Sequence, residues 1–297
     1  MEAATILYYA VGGGLGHITR AITILDRIGD AGLSARILAS SVHAPLAART
    51  SRHPVDCCPG GILASRRSYH AFLAGYLAEH AIDAIVLDTF PWGIVGEWKY
   101  LAADLPRLLI ARSLKWDIYS GHVAPDGRGR GLPVPVKTLA IEPLEEPYRE
   151  LLERRSAVAD LHLPIVDAPL PEGPPAERCL VVHSGDATEQ RELVDYARDV
   201  MNREGRSVEI ETIFPDREIY PARAWFGRYR YVVSGAGYNM AAESSRAGAG
   251  RTHFLFPFKR KFDDQLRRIE HIRGGMWSDP RGGGADEAAR WIAESLS

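Results

Sequence analysis

A histidine that follows a glycine turn, Gly12-Gly13-Gly14-Leu15-Gly16-His17, stands where an imidazole can act as a base beside a bound anion. The apolar run Ile6-Leu7-Tyr8-Tyr9-Ala10-Val11 precedes it, and Ile18, Ile22 and Leu25 follow at helical spacing, so the turn joins a strand to a helix. Glycine in such a turn lets the backbone approach a ligand, and the free N–H groups of the helix start favour an anion. The positive end of the helix disfavours an imidazolium and keeps His17 neutral, although a capping or packing histidine is the plainer alternative. A second turn of the same build, Ser234-Gly235-Ala236-Gly237-Tyr238-Asn239, follows Tyr231-Val232-Val233 and opens a helix carrying Met240 and Ala241. Asp88 closes another apolar run, and in open α/β sheets the carboxyl ends of strands line the ligand crevice. Its carboxylate could orient His17, bind an acceptor, or cap a helix after Pro91.

These groups need elements to hold them. Strands are expected over 6–11, 36–39, 82–87, 107–111 and 138–141, alternating with helices over 17–31, 65–80, 92–103 and 143–155. That alternation predicts a parallel, doubly wound α/β sheet. The stretch 122–136, with Gly127-Arg128-Gly129-Arg130-Gly131, reads as a mobile loop and an acceptor-side lid. Prolines crowd 164–175, where each removes a donor and restrains its predecessor, so a linker is expected there. The pattern then restarts with strands over 179–182, 207–213, 229–233 and 252–256 and helices over 189–203, 239–246, 263–272 and 285–296. The expected organisation is an N-terminal domain over 1–165, a linker over 166–178 and a C-terminal domain over 179–297, both domains Rossmann-like and facing one cleft.

The chain has 297 residues, 46% of them hydrophobic, and a formal charge of −2, so no global basic field points to nucleic acid. Its three cysteines, Cys57, Cys58 and Cys179, have no metal-ligand spacing and make a poor disulfide framework, which fits a reducing cytoplasm. No bound metal and no cofactor beyond a co-substrate are expected. The start lacks the basic region of a signal peptide, so membrane contact is expected to be peripheral at most. Arg66 and Arg67 with Ile62, Leu63, Phe72, Leu73 and Tyr76 could form a face for a lipid-linked acceptor, or a core-facing helix with a solvated rim. In a dinucleotide fingerprint a third glycine would stand where His17 does, no acidic residue ends the second strand, and no P-loop is present.

Four segments together resemble the two-domain GT-B glycosyltransferases, in particular the branch containing the N-acetylglucosaminyltransferase of peptidoglycan lipid synthesis. They are the Gly12-to-Arg20 turn, Val182-His183-Ser184-Gly185-Asp186-Ala187-Thr188-Glu189, the Ser234-to-Glu243 segment, and Phe256-to-Gln265 with its Asp264-Gln265 ending. Asp88-Thr89-Phe90-Pro91-Trp92-Gly93 is similar to uncharacterised predicted glycosyltransferases, and Gly14-Leu15-Gly16-His17-Ile18-Thr19-Arg20 is also similar to the start of GT-B-like UDP-sugar hydrolases. Tyr238-Asn239 departs from the family's small hydroxyl residue.

The resemblance implies a metal-independent inverting transferase that moves a sugar from a nucleotide-diphosphate donor, a UDP-sugar by preference, to a small-molecule or lipid-linked acceptor hydroxyl. Sugar transfer needs removal of the acceptor proton as the anomeric carbon becomes cation-like, and the resemblance makes His17 the candidate base with Asp88 a candidate partner. Gly13, Gly14 and Gly16 form the acceptor or phosphate loop. Ser184, Gly185, Gly235, Ala236, Gly237, Asn239 and Met240 would hold the diphosphate, Glu243 the ribose hydroxyls, and Asp264 and Gln265 the hexose rim. Asn239 is also expected to cap its helix, and Asp263-Asp264 could simply favour a helix start. A hydrolase or epimerase on the same scaffold and a non-catalytic nucleotide-sugar sensor are the alternatives.

Overall fold

The computed structural model describes residues 4–29, 32–99, 101, 104–124, 135–166, 174–245, 250–279 and 282–296. Most of the predicted lid and most of the predicted linker lie outside the described residues, as do the ends of the predicted helices at 103 and 246.

The first half contains strands β1 (Ala4–Ala10), β2 (Leu33–Ala39), β3 (Val55–Cys57), β4 (Ala84–Asp88), β5 (Arg107–Ala111), β6 (Lys137–Ala140) and β7 (Ala157–Asp160). They form one seven-stranded parallel sheet in the order β3-β2-β1-β4-β5-β6-β7. Its helices are α1 (Gly16–Leu25), α2 (Ala44–Ala48), α3 (Arg66–Glu79), α4 (Trp116–Val123) and α5 (Glu146–Glu153). Because successive side chains of a strand point to opposite faces, Ile6 and Tyr8 join a core with Ile18 and Ile22 of α1, whereas Leu7 and Tyr9 join one with Leu73 and Tyr76 of α3. A sheet covered on both faces explains why β4 and β5 are buried throughout.

The second half contains β8 (Ala176–Val182), α6 (Ala187–Arg203), β9 (Glu209–Ile213), β10 (Tyr229–Gly235), α7 (Tyr238–Ser244), β11 (Thr252–Phe256), α8 (Gln265–Arg273) and α9 (Gly284–Leu296). Its four strands pair in parallel in the order β11-β10-β8-β9. The closing helix α9 does not stay with this sheet: Ala285, Ala288, Ala289 and Ile292 enter the same core as α1, and Lys137 on β6 donates to the Ser295 carbonyl at 3.3 Å.

Several local expectations change. The helix expected over 92–103 is absent among its described residues, which contain a single 3-10 turn, Glu97–Lys99. Gly93 and Gly96 adopt φ of 80° and 77°, and Glu97 folds back to accept from the Ile94 and Val95 amides at 3.1 and 2.9 Å, so the side chain satisfies donors a helix would have used. With no α-helix there, Asp88 has no cap to make. Helix α1 stops at Leu25, short of the expected 31, ahead of Gly29 with φ 60°. Elements α2, β3, α4 and β7 carry too few periodic residues to announce themselves. Arg66 and Arg67 are exposed while Leu73 and Tyr76 of the same helix face the core, the pattern of a core-facing helix with a solvated rim. Among the described residues no helix is long and apolar enough to cross a membrane.

In each sheet the chain reverses its direction of growth once, between β1 and β4 in the first and between β8 and β10 in the second. At such switch points the connections leave on opposite sides and open a crevice beyond the strand ends. The turns singled out from sequence follow β1, β8 and β10, and Asp88 is the last residue of β4.

Candidate active site

The two crevices open into one cavity of about 700 Å³. Gly12–Gly14, Gly16, His17 and Phe90 line it from the first sheet; Ser184, Gly185, Gly235, Gly237, Met240 and Glu243 line it from the second. The two sides approach closely, since a Cβ built on Gly14 would lie 3.1 Å from Ser184 Oγ.

His17 occupies the first turn of α1, with its Nδ1 2.7 Å from Asp88 Oδ2. Asp88 ionised can only accept, which makes Nδ1 the protonated nitrogen and leaves Nε2 to the cavity. Gly12 is required for this placement: a Cβ there would sit 2.3 Å from His17 Cδ2. The ring of Phe90 stacks along the imidazole with centroids 6.0 Å apart. Behind the pair lies Arg20, one helical turn on from His17, whose Nε donates to Asp88 Oδ1 at 2.9 Å and whose Nη2 donates to Oδ2 at 2.6 Å. Asp88 is 1% exposed and does not line the cavity; its carboxylate is engaged by His17 and Arg20. The next residue, Thr89, adopts φ of 73°, a strained conformation for a β-branched residue, and its hydroxyl accepts from Arg20 at 3.3 Å.

The electrostatics follow from burial and neighbours. Burial pushes the Asp88 carboxyl up, but Arg20 and then His17 outweigh it and hold the group down to about 2. Burial lowers the His17 imidazole below its usual value; Asp88 pulls it up, while Arg20 and Arg112 add to the lowering. A neutral, oriented imidazole results, the form required to take a proton.

Side chains from both halves tie the walls together. Asn239 donates from Nδ2 to the Gly16 carbonyl at 3.0 Å and accepts from Arg20 Nη1 at 3.2 Å. The cap residue of α7 is Gly237 without a side-chain cap bond, so the expected capping by Asn239 gives way to these contacts. The Tyr238 ring lies under two guanidinium groups, Arg20 at 5.2 Å and Arg112 at 5.5 Å from its centroid. Arg268 of α8 pairs with Glu142 and donates to Asp263 at 2.6 Å, and Arg112 reaches Glu142 at 3.2 Å and Asp263 at 3.1 Å. Two cations and two carboxylates thus close a buried, neutral cluster, and burial of Glu142 is outweighed by Arg268 and Arg112, which keep it ionised.

The donor-side expectations divide. Glu243 on α7 is 6% exposed and lines the cavity, as do Met240, Asn239, Gly235 and Gly237. Gly185 must lack a side chain, because a Cβ would meet Glu189 Oε2 at 2.0 Å and His183 Nε2 at 2.2 Å. Ala236 is fully buried outside the lining, its carbonyl accepting from Arg268 at 3.0 Å. Asp264 is also outside the lining: it caps α8, accepting from the Arg267 amide at 3.1 Å. Both were expected at the donor, and neither lines the cavity; a buried arginine and a helix start engage them instead. Gln265 lines the cavity with its Oε1 engaged by the Phe258 amide at 3.0 Å. Asp186 caps α6, accepting from Thr188 and Glu189 amides at 2.9 and 3.0 Å, so two donors of that helix start are already engaged.

Sequence reasoning missed Arg20, Arg112, Glu142, Arg268 and the His183–Glu189–Arg260 group, in which Glu189 accepts from His183 Nε2 at 2.8 Å and is clamped by Arg260. For Arg20 a signal existed, since its spacing of three from His17 puts both on one helix face.

No family model matches the chain, and no curated protein matches it in sequence. Solved structures do match in shape. A UDP-GlcNAc 2-epimerase from Neisseria meningitidis, bound to UDP-GlcNAc, is 10% identical with a TM-score of 0.61, the alignment covering 98% of this chain and 99% of that one. The glycotransferase of kitacinnamycin is 12% identical with a TM-score of 0.57, covering 99% and 95%. The chain has the GT-B fold. Within the GT-B fold, UGT2 of Phytolacca americana, complexed with UDP-2fluoro-glucose and pterostilbene, is 15% identical with a TM-score of 0.53, covering 99% and 90%. At these identities the likeness speaks for the GT-B architecture and not for the reaction.

Proposed function

We propose that this GT-B protein transfers a sugar from a UDP-sugar to an acceptor hydroxyl by a single inverting displacement without a metal ion. The observation that carries the reading is the His17–Asp88 pair, bonded at 2.7 Å and presented to a cavity whose opposite wall is glycine turns and a buried glutamate. His17 Nε2 takes the acceptor proton while the acceptor oxygen bonds to the anomeric carbon; the bond from that carbon to the diphosphate oxygen breaks, and its electron pair leaves with UDP. Asp88 keeps the imidazole in the required tautomer and stabilises the imidazolium as it forms. In this reading Ser184, Gly185 and the Gly235–Gly237 turn lie against the diphosphate, with Gly13, Gly14 and Gly16 across from them. Glu243 holds the ribose hydroxyls, and Gln265 borders the sugar. UDP is chosen because two of the similar structures contain UDP-GlcNAc and UDP-2fluoro-glucose.

A second reading is supported by the near-complete overlap with the UDP-GlcNAc 2-epimerase: a UDP-sugar epimerase or hydrolase, with no second sugar or alcohol acceptor. A thermal-shift screen of UDP, GDP, dTDP, CMP and ADP, alone and as sugar conjugates, followed by product analysis with and without acceptor alcohols, tests both. Selective stabilisation by UDP with acceptor-dependent release of UDP is the expected result. Free sugar or an epimerised donor without acceptor selects the second reading, and stabilisation by no nucleotide removes both.

A further inference from the structure

The amide of Asn239 holds two parts of the mount of His17 at once, and it does so from the opposite side of the cavity. Its carbonyl oxygen accepts from Arg20 Nη1 at 3.2 Å, and its Nδ2 donates to the carbonyl of Gly16, the residue before His17, at 3.0 Å. The orientation of the amide is fixed by chemistry, because a guanidinium only donates and a carbonyl only accepts. Arg20 carries the contact onward with two bonds to Asp88 and one to Thr89, and Asp88 holds His17 Nδ1. Arg20 and Asp88 are both 1% exposed and Asn239 is 8% exposed, so each bond of the link is held among packed side chains.

We infer that Asn239 is a positioning residue through which the seating of α7, the helix that carries Glu243, sets the alignment of His17. This rests on the proposed nucleotide site, since α7 and the Gly235–Gly237 turn are its floor. Helix α7 packs on α1 across the cavity, and the link from Asn239 to His17 is a chain of direct hydrogen bonds. If a nucleotide fixes α7 against α1, the amide draws the Gly16 carbonyl and the Arg20 fork into register. A bound nucleotide would thereby add to the stability of an alignment that the hydrogen bonds of Asn239 already make. Linkage makes the coupling reciprocal: alignment of His17 strengthens nucleotide binding by the same factor by which the nucleotide favours alignment.

The test uses UDP as probe and the Nδ1–H proton of His17, followed by NMR, as readout; His17→Ala assigns the resonance. The charged groups facing this imidazole are Asp88 from β4, Arg20 from α1 and Arg112 from the end of β5, all retained in Asn239→Ala. In the wild type, UDP should slow solvent exchange of that proton at least about tenfold, the effect of suppressing openings of the Asp88 bond by roughly 1.4 kcal/mol. In Asn239→Ala, UDP should bind within a few-fold of wild-type affinity by calorimetry yet leave the exchange rate unchanged. Asn239→Ser, which keeps a hydroxyl but reaches neither partner, should behave likewise and serves if the alanine variant folds poorly. Equal slowing by UDP in wild type and variants overturns the relay. If UDP binds to none of them, the nucleotide reading fails and the ligand-free proteins decide: faster Nδ1–H exchange in the variants supports the link from Asn239 to His17, and identical exchange overturns it.

Discussion

The two switch points of this molecule are built to the same topology and filled with opposite materials. Beyond β1 and β4 the crevice holds side chains that satisfy one another: His17 on Asp88, Asp88 on Arg20, Arg20 on Thr89 and Asn239. Beyond β8 and β10 the turns at Ser184-Gly185 and Gly235–Gly237 bring main chain to the cavity wall, between side chains such as Phe258, Gln265 and Glu243. A charged network buried to 1% exposure tolerates one arrangement, because each missing partner leaves a desolvated charge. A backbone turn without side chains accepts a ligand that arrives and departs. Under the proposed function the contrast would put chemistry at the first crevice and binding at the second, where one wall keeps a base aligned and the other exchanges nucleotides.

The sharpest way to break the contrast is Asp88→Asn. It removes the charge paired with Arg20 and permits the wrong imidazole tautomer. Turnover should fall by about 10³–10⁴, and stability by about 3–5 kcal/mol, the cost of orphaning one member of a buried pair. UDP affinity should fall by no more than about tenfold, the coupling to His17 alignment; a variant with turnover near wild type would deny His17 its proposed role. The wild type should also lose the Asp88 contribution in acid. Its carboxyl is held down to about 2 when folded, so the stabilisation is complete above the ordinary carboxylate range and lost as pH falls toward that value. Acid unfolding curves of wild type and Asp88→Asn should therefore converge at low pH.

Next in size is the pH dependence of turnover. Burial lowers the His17 imidazole, so the neutral base persists below the usual histidine range, and the acidic limb of the rate profile should lie under pH 6.5. The same lowering contributes stability that is present above 6.5 and lost as pH falls through the folded value. His17→Ala should cut turnover about 10²–10⁴-fold and abolish that limb. A limb at or above the free-histidine value would mean the imidazole is less enclosed than its 15% side-chain exposure indicates.

On the opposite wall, Glu243→Ala should act on binding rather than on rate. Charge-assisted bonds to ribose hydroxyls contribute roughly 1.5–3 kcal/mol each, so UDP affinity should drop about tenfold or more while 5′-phosphate analogues lacking ribose hydroxyls lose nothing further. Calorimetry with UDP and 2′,3′-dideoxy-UDP separates the two. Equal weakening of both ligands would mean that Glu243 supports the wall without touching ribose.

The sequence carried this division unevenly. Strand-turn-helix punctuation at Gly12–His17 and Gly235–Asn239, and Asp88 at a strand end, are local facts that periodicity and turn chemistry expose. The linkages that make the first crevice rigid are not local: Asn239 meets Gly16 across 223 residues and Arg268 meets Glu142 across 126. A buried arginine looks the same in sequence as a solvated one, so Arg20, Arg112 and Arg268 gave no sign of which carboxylates they would find. Helix α9 was legible as a helix, but its alanine stripe does not say which sheet it covers.

The smallest expected effect bears on the edge of the donor wall. Asp264 and Gln265 were read together as contacts for a hexose, and the structure separates them: Gln265 lines the cavity, whereas Asp264 turns away to cap α8. Asp264→Ala should cost about 1 kcal/mol of stability, the usual loss of an N-cap. Turnover and the affinity for UDP-sugar relative to UDP should stay within about twofold. Asp264→Asn or Ser should restore most of the lost melting temperature, since either oxygen can accept from the Arg267 amide. Because Arg268, one residue beyond Arg267, anchors the cluster with Glu142 and Asp263, fraying of the first turn should show there first, as faster amide exchange at Arg267 and Arg268. A selective loss of UDP-sugar affinity with unchanged stability would place Asp264 against the sugar after all and extend the binding wall past the end of the glycine turns.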